Sequence, residues 1–158
     1  QVQSRGLGDV YKRQVKSHVF DKNQEIGGLL TFGIPEFKLE KSVIKRRRKI
    51  LEEMGVEFHL GKEVGKDIPF KKIYDKYDAV FLGMGTYTSL EGGFHGEKLN
   101  GVYKAIDYLI SSTNKLLGIK DKQNKFINLK GKNVIVIGGG DTLRWIVIEQ
   151  QLDKVQSL

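Results

Sequence analysis

Two stretches of the chain contain residue types that bind nucleotides, and the first is glycine-rich. The segment Gly138-Gly139-Gly140-Asp141-Thr142 directly follows the apolar run Lys132 to Ile137. Glycines after a strand allow a tight turn in which backbone N–H groups approach a pyrophosphate, and a helix N-terminus adds a favourable dipole. A lone Gly-x-Gly is a weak signal, however, and an ordinary strand-to-helix turn also explains it.

The second stretch ends in an acidic residue. Val15 to Phe20 predicts a short strand, and Asp21 follows it. In a dinucleotide fold, an acid at the end of the second strand accepts hydrogen bonds from ribose hydroxyls. Taken alone, such an acid is more often a turn or cap residue.

The elements that position these residues follow from hydrophobic periodicity and glycine placement. The loop Glu25 to Pro35 has paired glycines that permit close backbone approach to a ligand but disfavour a regular element. Helices are predicted for Glu40–Met54, Pro69–Asp75 and Val102–Leu117. Strands are predicted for Val56–Leu60, for a segment around Val64, for Ala79–Leu82 and for Lys132–Ile137, with a polar loop over Asp121–Lys130.

Composition excludes several classes of function. The net charge of +8 raises the possibility of nucleic-acid binding, but the basic run Lys45 to Lys49 lies in a helical pattern without interleaved aromatics, so a solvated helix face is favoured. The chain has no cysteine, which excludes thiolate metal ligands, and His18, His59 and His95 share no metal-ligand spacing, so no metal site is assigned. No membrane span or secretory signal is recognised, and we expect a cytoplasmic protein.

Both ends of the chain differ in character from its interior. Residues 1–14 lack periodicity, and Asp9 to Gln14 back-translates to the end of a sequencing-transposon adapter, so we interpret the segment as non-native. At the other end, Leu143 is a large residue at a position where the glycine turn requires a small one. Residues 143–158, read one base earlier, can encode a small residue followed by a helical pattern. We therefore predict a frameshift directly after Thr142.

The interior resembles a known family over about Val15 to Thr142. Three segments closely resemble the small (beta) chain of bacterial glutamate synthase, within the pyridine nucleotide-disulphide oxidoreductase-like flavoproteins: Gly27–Leu39, Asp78–Tyr87 and Gly138–Thr142. The resemblance implies an α/β, Rossmann-like fold with two dinucleotide-binding domains, here incomplete. The expected organisation is an adapter-like segment over 1–14, part of an FAD domain over 15–90, the start of an NADPH domain over 91–142, and a frameshifted tail over 143–158.

The resemblance also implies roles for individual residues. Asp21 would hold the adenosine ribose of FAD, and Gly27, Gly28 and Leu29 would line the flavin side. Other FAD contacts would come from Lys38, near the pyrophosphate or flavin, and from residues that close over the cofactor, namely Val64, Gly83 and Gly85. The NADPH pyrophosphate would lie in the turn formed by Gly138, Gly139, Gly140, Asp141 and Thr142. No catalytic acid, base or nucleophile is expected, because the cofactors carry the chemistry.

The function implied for the parent protein is oxidation of NADPH, with electrons passing through FAD and iron–sulfur clusters to a large subunit that makes glutamate. The cluster ligands would lie in a cysteine-bearing region upstream. We expect the isolated chain to bind both cofactors weakly or not at all, and to be inactive. Two alternatives remain open: a related FAD- and NAD(P)H-dependent subunit with another electron acceptor, and an inactive, basic remnant. Neither preference for NADPH over NADH nor the oligomeric state can be derived from these residues.

Overall fold

The structure, a computed structural model, describes residues 15–86, 88–120, 125–142 and 144–148. The chain divides into two compact units. The first contains the described residues up to Gly28 and the segment Glu40–Gly83; the second contains Leu29–Leu39 and the described residues from Met84 onward. Each unit is described separately below.

The first unit is built around a two-stranded parallel sheet. Strand β1, His18–Asp21, pairs with β2, Glu57–Leu60, in a register that sets His18 opposite Glu57 and Asp21 opposite Leu60. Parallel neighbours cannot be joined by a tight hairpin, and helix α2, Lys41–Glu53, lies between them in the sequence. This arrangement confirms the α/β class in its coarse form, as mixed helix and strand with a small parallel sheet.

Helix α2 matches the predicted helix to within a residue at each end, but its apolar stripe is less buried than expected. Of the apolar residues on that stripe, Ile44 is buried, whereas Val43 and Ile50 stay exposed. Lys41 is buried instead, at the first position of the helix. A short helix α3, Phe70–Tyr74, follows, with Ile73 buried. The predicted strand around Val64 is reduced to an isolated bridge between Val64 and Ile68.

The second unit is helical. A single helical turn, α1, covers Leu29–Phe32 and contacts α4, Ala105–Leu116. The expectation of no regular element within Glu25–Pro35 was therefore wrong for these four residues. Ile106 of α4 lies beside Gly33, where an added Cβ would be 3.5 Å from Ile106 Cδ1 and 2.9 Å from the Leu29 carbonyl oxygen of α1.

The core of the second unit forms on one face of α4. Tyr108, Leu109 and Ile146 are buried together. Four partly buried side chains pack against them: Ile127, Leu129, Val136 and Trp145. Residues 144–148 are helical, so part of the segment interpreted as a frameshifted tail contributes Ile146 to the core. Leu143 and residues 149–158 lie outside the described residues, as do residues 1–14, and the frameshift and the adapter origin stay predictions.

Two predicted strands are absent. Ala79–Leu82 and Lys132–Ile137 both have irregular backbone, and their apolar side chains are largely exposed: Phe81 at 95%, Ile135 at 89% and Ile137 at 74%. A continuous apolar run is typical of a strand covered on both faces, but strands are stable only when neighbours satisfy their N–H and C=O groups. Within the described residues neither segment has a partner strand, which explains why the propensity is not realised.

Within the described residues, no helix combines the length and the apolar character needed to cross a lipid bilayer.

We expect Leu109→Ala to destabilise the second unit by about 2–5 kcal/mol, because it removes a side chain only 2% exposed and leaves a cavity against Tyr108 and Ile146. Leu116→Ala on the same helix, where the side chain is 59% exposed, is the matched control and should change stability by less than about 0.5 kcal/mol. Urea unfolding followed by circular dichroism measures both variants. Equal losses of stability would show that this face of α4 is not the core.

Candidate functional site

The carboxyl end of β1 is shaped by Asp21. Its Oδ1 accepts hydrogen bonds from the backbone N–H of Asn23 at 2.9 Å and from Asn23 Nδ2 at 3.0 Å. The same edge is joined to the chain after β2, since Gly61 N–H donates to the Asn23 carbonyl and Lys62 N–H to the Asp21 carbonyl. Both hydrogen bonds that the described residues make to the carboxylate end on Oδ1, which leaves Oδ2 as an acceptor at the carboxyl edge of a parallel sheet, where α/β folds bind ligands.

A clasp between Glu25 and Arg48 holds the loop that follows Asp21. Glu25 Oε1 accepts from the Ile26 N–H at 2.9 Å and from Arg48 Nη1 at 3.2 Å, while Arg48 Nε donates to Glu52 at 2.8 Å. The hydrogen bond to Glu52, together with the negative charge of Glu25, raises the pKa of Arg48 above its ordinary value. The clasp joins the loop to α2. Sequence reasoning missed it, because only the fold brings positions 25 and 48 together.

The predicted flavin-side residues begin directly after this clasp. Gly27 and Gly28 have φ angles of 97° and 51°, a left-handed conformation that a side chain would strain. Leu29 is the first residue of α1 and is partly buried. Lys38 is exposed on a turn in which its N–H donates to the Pro35 carbonyl at 3.0 Å. The backbone at Gly27 and Gly28 therefore fits the close approach that a bound cofactor requires.

Three further predicted FAD contacts lie in loops. Val64 forms the bridge to Ile68 and is partly exposed. At Gly83, an added Cβ would meet only the Phe81 ring, at 3.3 Å, and Gly85 has a φ of 67°. Gly83 belongs to the first unit and Gly85 to the second. Of these positions only Gly85 has a left-handed backbone, and the segment before Gly83 is not a formed strand.

The glycine segment at 138–140 is exposed and precedes helical positions 141 and 142. Gly138 has a φ of 138°, and an added Cβ at Gly138, Gly139 or Gly140 would meet no atom within 4 Å. Asp141 and Thr142 open the helical stretch, as the predicted pyrophosphate turn requires. The glycines of the turn are open to solvent, while the strand expected before it is not formed.

The structure thus groups the predicted residues only in part. Asp21, at the end of β1, is joined to Gly27 and Gly28 by one loop of the first unit. Val64 and Gly83 belong to the same unit. Leu29, Lys38, Gly85 and the segment Gly138–Thr142 lie in the second unit. The FAD and NADPH assignments stay predictions.

One cluster was not anticipated. His18, Glu57 and His59 offer ligand atoms that all lie within 4.8 Å of one another in the first unit. His18 Nδ1 is 3.1 Å from His59 Nε2 and 3.3 Å from Glu57 Oε2. His18 is far in the sequence from Glu57 and His59, and the register of β1 against β2 brings it to them.

The loop 91–99 of the second unit is folded around Glu97. Its carboxylate accepts the Gly92 N–H at 2.7 Å and the Gly93 N–H at 3.0 Å. The hydrogen bond from Gly92, and next that from Gly93, lowers the pKa of Glu97 below its ordinary value of 4.5. An open depression is lined by this loop, but none of the predicted cofactor residues contributes to it.

We expect the loop conformation to be lost as pH falls through the pKa of Glu97, because a depressed folded-state pKa contributes stability above the unfolded value that disappears on protonation. The amide shifts of Gly92 and Gly93, followed by NMR, should therefore titrate with a midpoint below 4.5. Glu97→Gln should abolish this transition, whereas Glu91→Gln should leave it intact. A midpoint at or above 4.5 would contradict the assignment.

No family model matches the chain. The chain is 59% identical over 138 residues to the glutamate synthase [NADPH] small chain of Halomonas elongata, a match covering 87% of the chain and 29% of that relative. It is 52% identical over 136 residues to the glutamate synthase [NADPH] small chain of Escherichia coli, covering 85% of the chain and 29% of the relative. It is also 50% identical over 125 residues to the putative oxidoreductase AegA of Escherichia coli, covering 78% of the chain and 19% of the relative. The chain spans less than a third of the length of these relatives.

Proposed function

We propose that this chain is part of an NADPH-oxidising flavoprotein and supplies backbone and side-chain contacts to FAD and NADPH. The premise is its homology to a segment of glutamate synthase small chains. The observation that carries the proposal is sequence identity: over most of its length, the chain is more than 50% identical to two proteins of that name. In this proposal the two units are incomplete parts of a Rossmann-like fold with two dinucleotide sites.

The FAD contacts would centre on the loop 21–28. Asp21 offers carboxylate oxygens as acceptors at the carboxyl end of a parallel strand, which is the position at which dinucleotide folds bind a ribose. The Glu25–Arg48 clasp would hold the loop, so that Gly27 and Gly28 offer their backbone to the cofactor. Leu29, Lys38, Val64, Gly83 and Gly85 would complete the surroundings, Lys38 as a cation near phosphate.

The NADPH contact would be the turn Gly138–Thr142. Its exposed glycines leave room for a pyrophosphate beside the backbone, and the helical positions after Gly140 direct N–H groups toward it. Once bound, the nicotinamide and flavin supply the hydride and electron transfer. The chain's own residues bind and orient these groups, and none acts as an acid, base or nucleophile.

The partner in this proposal is a glutamate synthase large subunit, in the cytoplasm, reached through iron–sulfur clusters held elsewhere in the small chain. The chain has no cysteine, so it supplies no cluster ligand. A test places residues 15–142 into the Escherichia coli small chain in place of the homologous segment, and measures flavin content and NADPH oxidation with an artificial electron acceptor. A folded graft that neither retains flavin nor oxidises NADPH would contradict the proposal.

In that graft, we expect Asp21→Ala to weaken FAD binding about tenfold or more, because hydrogen bonds to a charged acceptor contribute roughly 1.5–3 kcal/mol. Asp21→Asn should have a smaller effect, since the amide oxygen can still accept the Asn23 N–H. Asp75→Ala is the control, because this exposed carboxylate pairs with Lys71 at 2.9 Å at the end of α3. Flavin titration measures all three variants, and unchanged affinity in Asp21→Ala would exclude Asp21 from the site.

For the NADPH turn, Gly139→Ala separates binding from folding. The new methyl meets no protein atom within 4 Å, so we expect the free energy of unfolding to be unchanged while KM for NADPH rises several-fold and flavin content stays constant. Asn133→Ala, at another exposed position upstream, should change neither quantity. An unaltered KM in Gly139→Ala would show that the turn does not approach the pyrophosphate.

A second candidate keeps the cofactors and changes the electron acceptor. It is favoured by 50% identity with a putative oxidoreductase, close to the value for the Escherichia coli small chain. The gene next to this one separates the two candidates: a large amidotransferase subunit supports glutamate synthesis, and its absence supports another acceptor.

A further inference from the structure

We propose that His18, Glu57 and His59 form a zinc site that joins β1 to β2. Two imidazole nitrogens and one carboxylate oxygen are ligands that Zn²⁺ accepts, and three protein ligands leave a fourth position for water. All three ligand atoms lie within 4.8 Å of one another, and all belong to the first unit. None of these three residues has a cofactor-binding role in the function proposed above.

Two of the three distances between ligand atoms match the edges of a tetrahedral site. With metal–ligand bonds of about 2.0–2.1 Å, the edges of a ligand tetrahedron are about 3.3 Å. His18 Nδ1 lies 3.1 Å from His59 Nε2 and 3.3 Å from Glu57 Oε2. The Glu57 side chain can move to complete the site, because it is 62% exposed, whereas that of His18 is 19% exposed.

The strand register explains why these ligands converge. His18 is paired with Glu57, and His59 lies two residues beyond Glu57 on the same face of β2. Aromatic neighbours restrain both imidazoles: Phe20 stacks on His59 with ring centroids 4.5 Å apart, and Tyr77 packs against His18 at 5.0 Å. The ligand rings are thus held by packing, as metal-binding histidines require.

The chemistry favours zinc over hard cations. Imidazole nitrogen suits Zn²⁺, Cu²⁺ and Ni²⁺, whereas Mg²⁺ and Ca²⁺ prefer all-oxygen sites. In the metal-free arrangement one imidazole must donate a proton to the other across 3.1 Å. On binding, the donor ring would carry its proton on its other nitrogen, so that zinc accepts one lone pair from each ring in place of the hydrogen bond. The chain has no thiolate to compete for the ion.

The test titrates the complete chain, without a histidine tag, with Zn²⁺ by calorimetry and with Co²⁺ by visible absorption. We expect one ion per chain, a tetrahedral Co²⁺ spectrum that Zn²⁺ removes, and a higher melting temperature with Zn²⁺. His18→Gln and His59→Gln should each weaken binding about a hundredfold, and Glu57→Gln about tenfold. His95→Gln is the control and should bind as the parent chain does.

If a histidine variant fails to fold, Glu57→Gln still tests the site, because position 57 is exposed. Circular dichroism shows whether the Glu57→Gln chain is folded. No saturable Zn²⁺ binding by the parent chain would overturn the proposal. Equal affinity in the parent chain, Glu57→Gln and the histidine variants would overturn it as well, and would assign the bound ion to another part of the surface.

Discussion

The parallel pairing of β1 with β2 is the interaction on which the candidate sites of the first unit depend. Each strand has only four residues, and a two-stranded sheet of that length is marginal unless further contacts support it. Support comes at both ends of the pair. Hydrogen bonds tie Asp21 and Asn23 to Gly61 and Lys62 at the carboxyl edge, while the His18–Glu57–His59 cluster lies toward the other end.

The same pairing explains which parts of the fold the sequence could predict. Helices α2 and α4 were predicted closely, because their periodicity and boundaries are local properties of the chain. The runs 79–82 and 132–137 have equally clear apolar character, yet they are not strands. A strand forms only when a neighbouring strand pairs with it, and the residues of such a run do not indicate whether that neighbouring strand is present.

The candidate sites, too, could be predicted only where the sequence signal is local. Asp21 and the glycines at 27 and 28 could be predicted, because an acid after a strand and a glycine pair have recognisable local meaning. The clasp between Glu25 and Arg48 and the histidine cluster could not, because each joins residues that only tertiary structure brings together. Spacing rules for metal ligands describe helices and tight loops, and they miss ligands contributed by two paired strands.

Strand β1 therefore has a different role at each end of the small sheet. At the carboxyl end, Asp21 keeps one oxygen on Asn23, and in the proposed function it would offer the other to a ligand. At the opposite end, His18 exchanges a hydrogen bond with a histidine for a bond to an ion. Because only Val19 and Phe20 separate these residues, an interaction that fixes β1 against β2 at one end also restricts the other. Ligation at His18 would thus limit the motion of Asp21, and the sheet would couple the metal cluster to the loop proposed for the ribose.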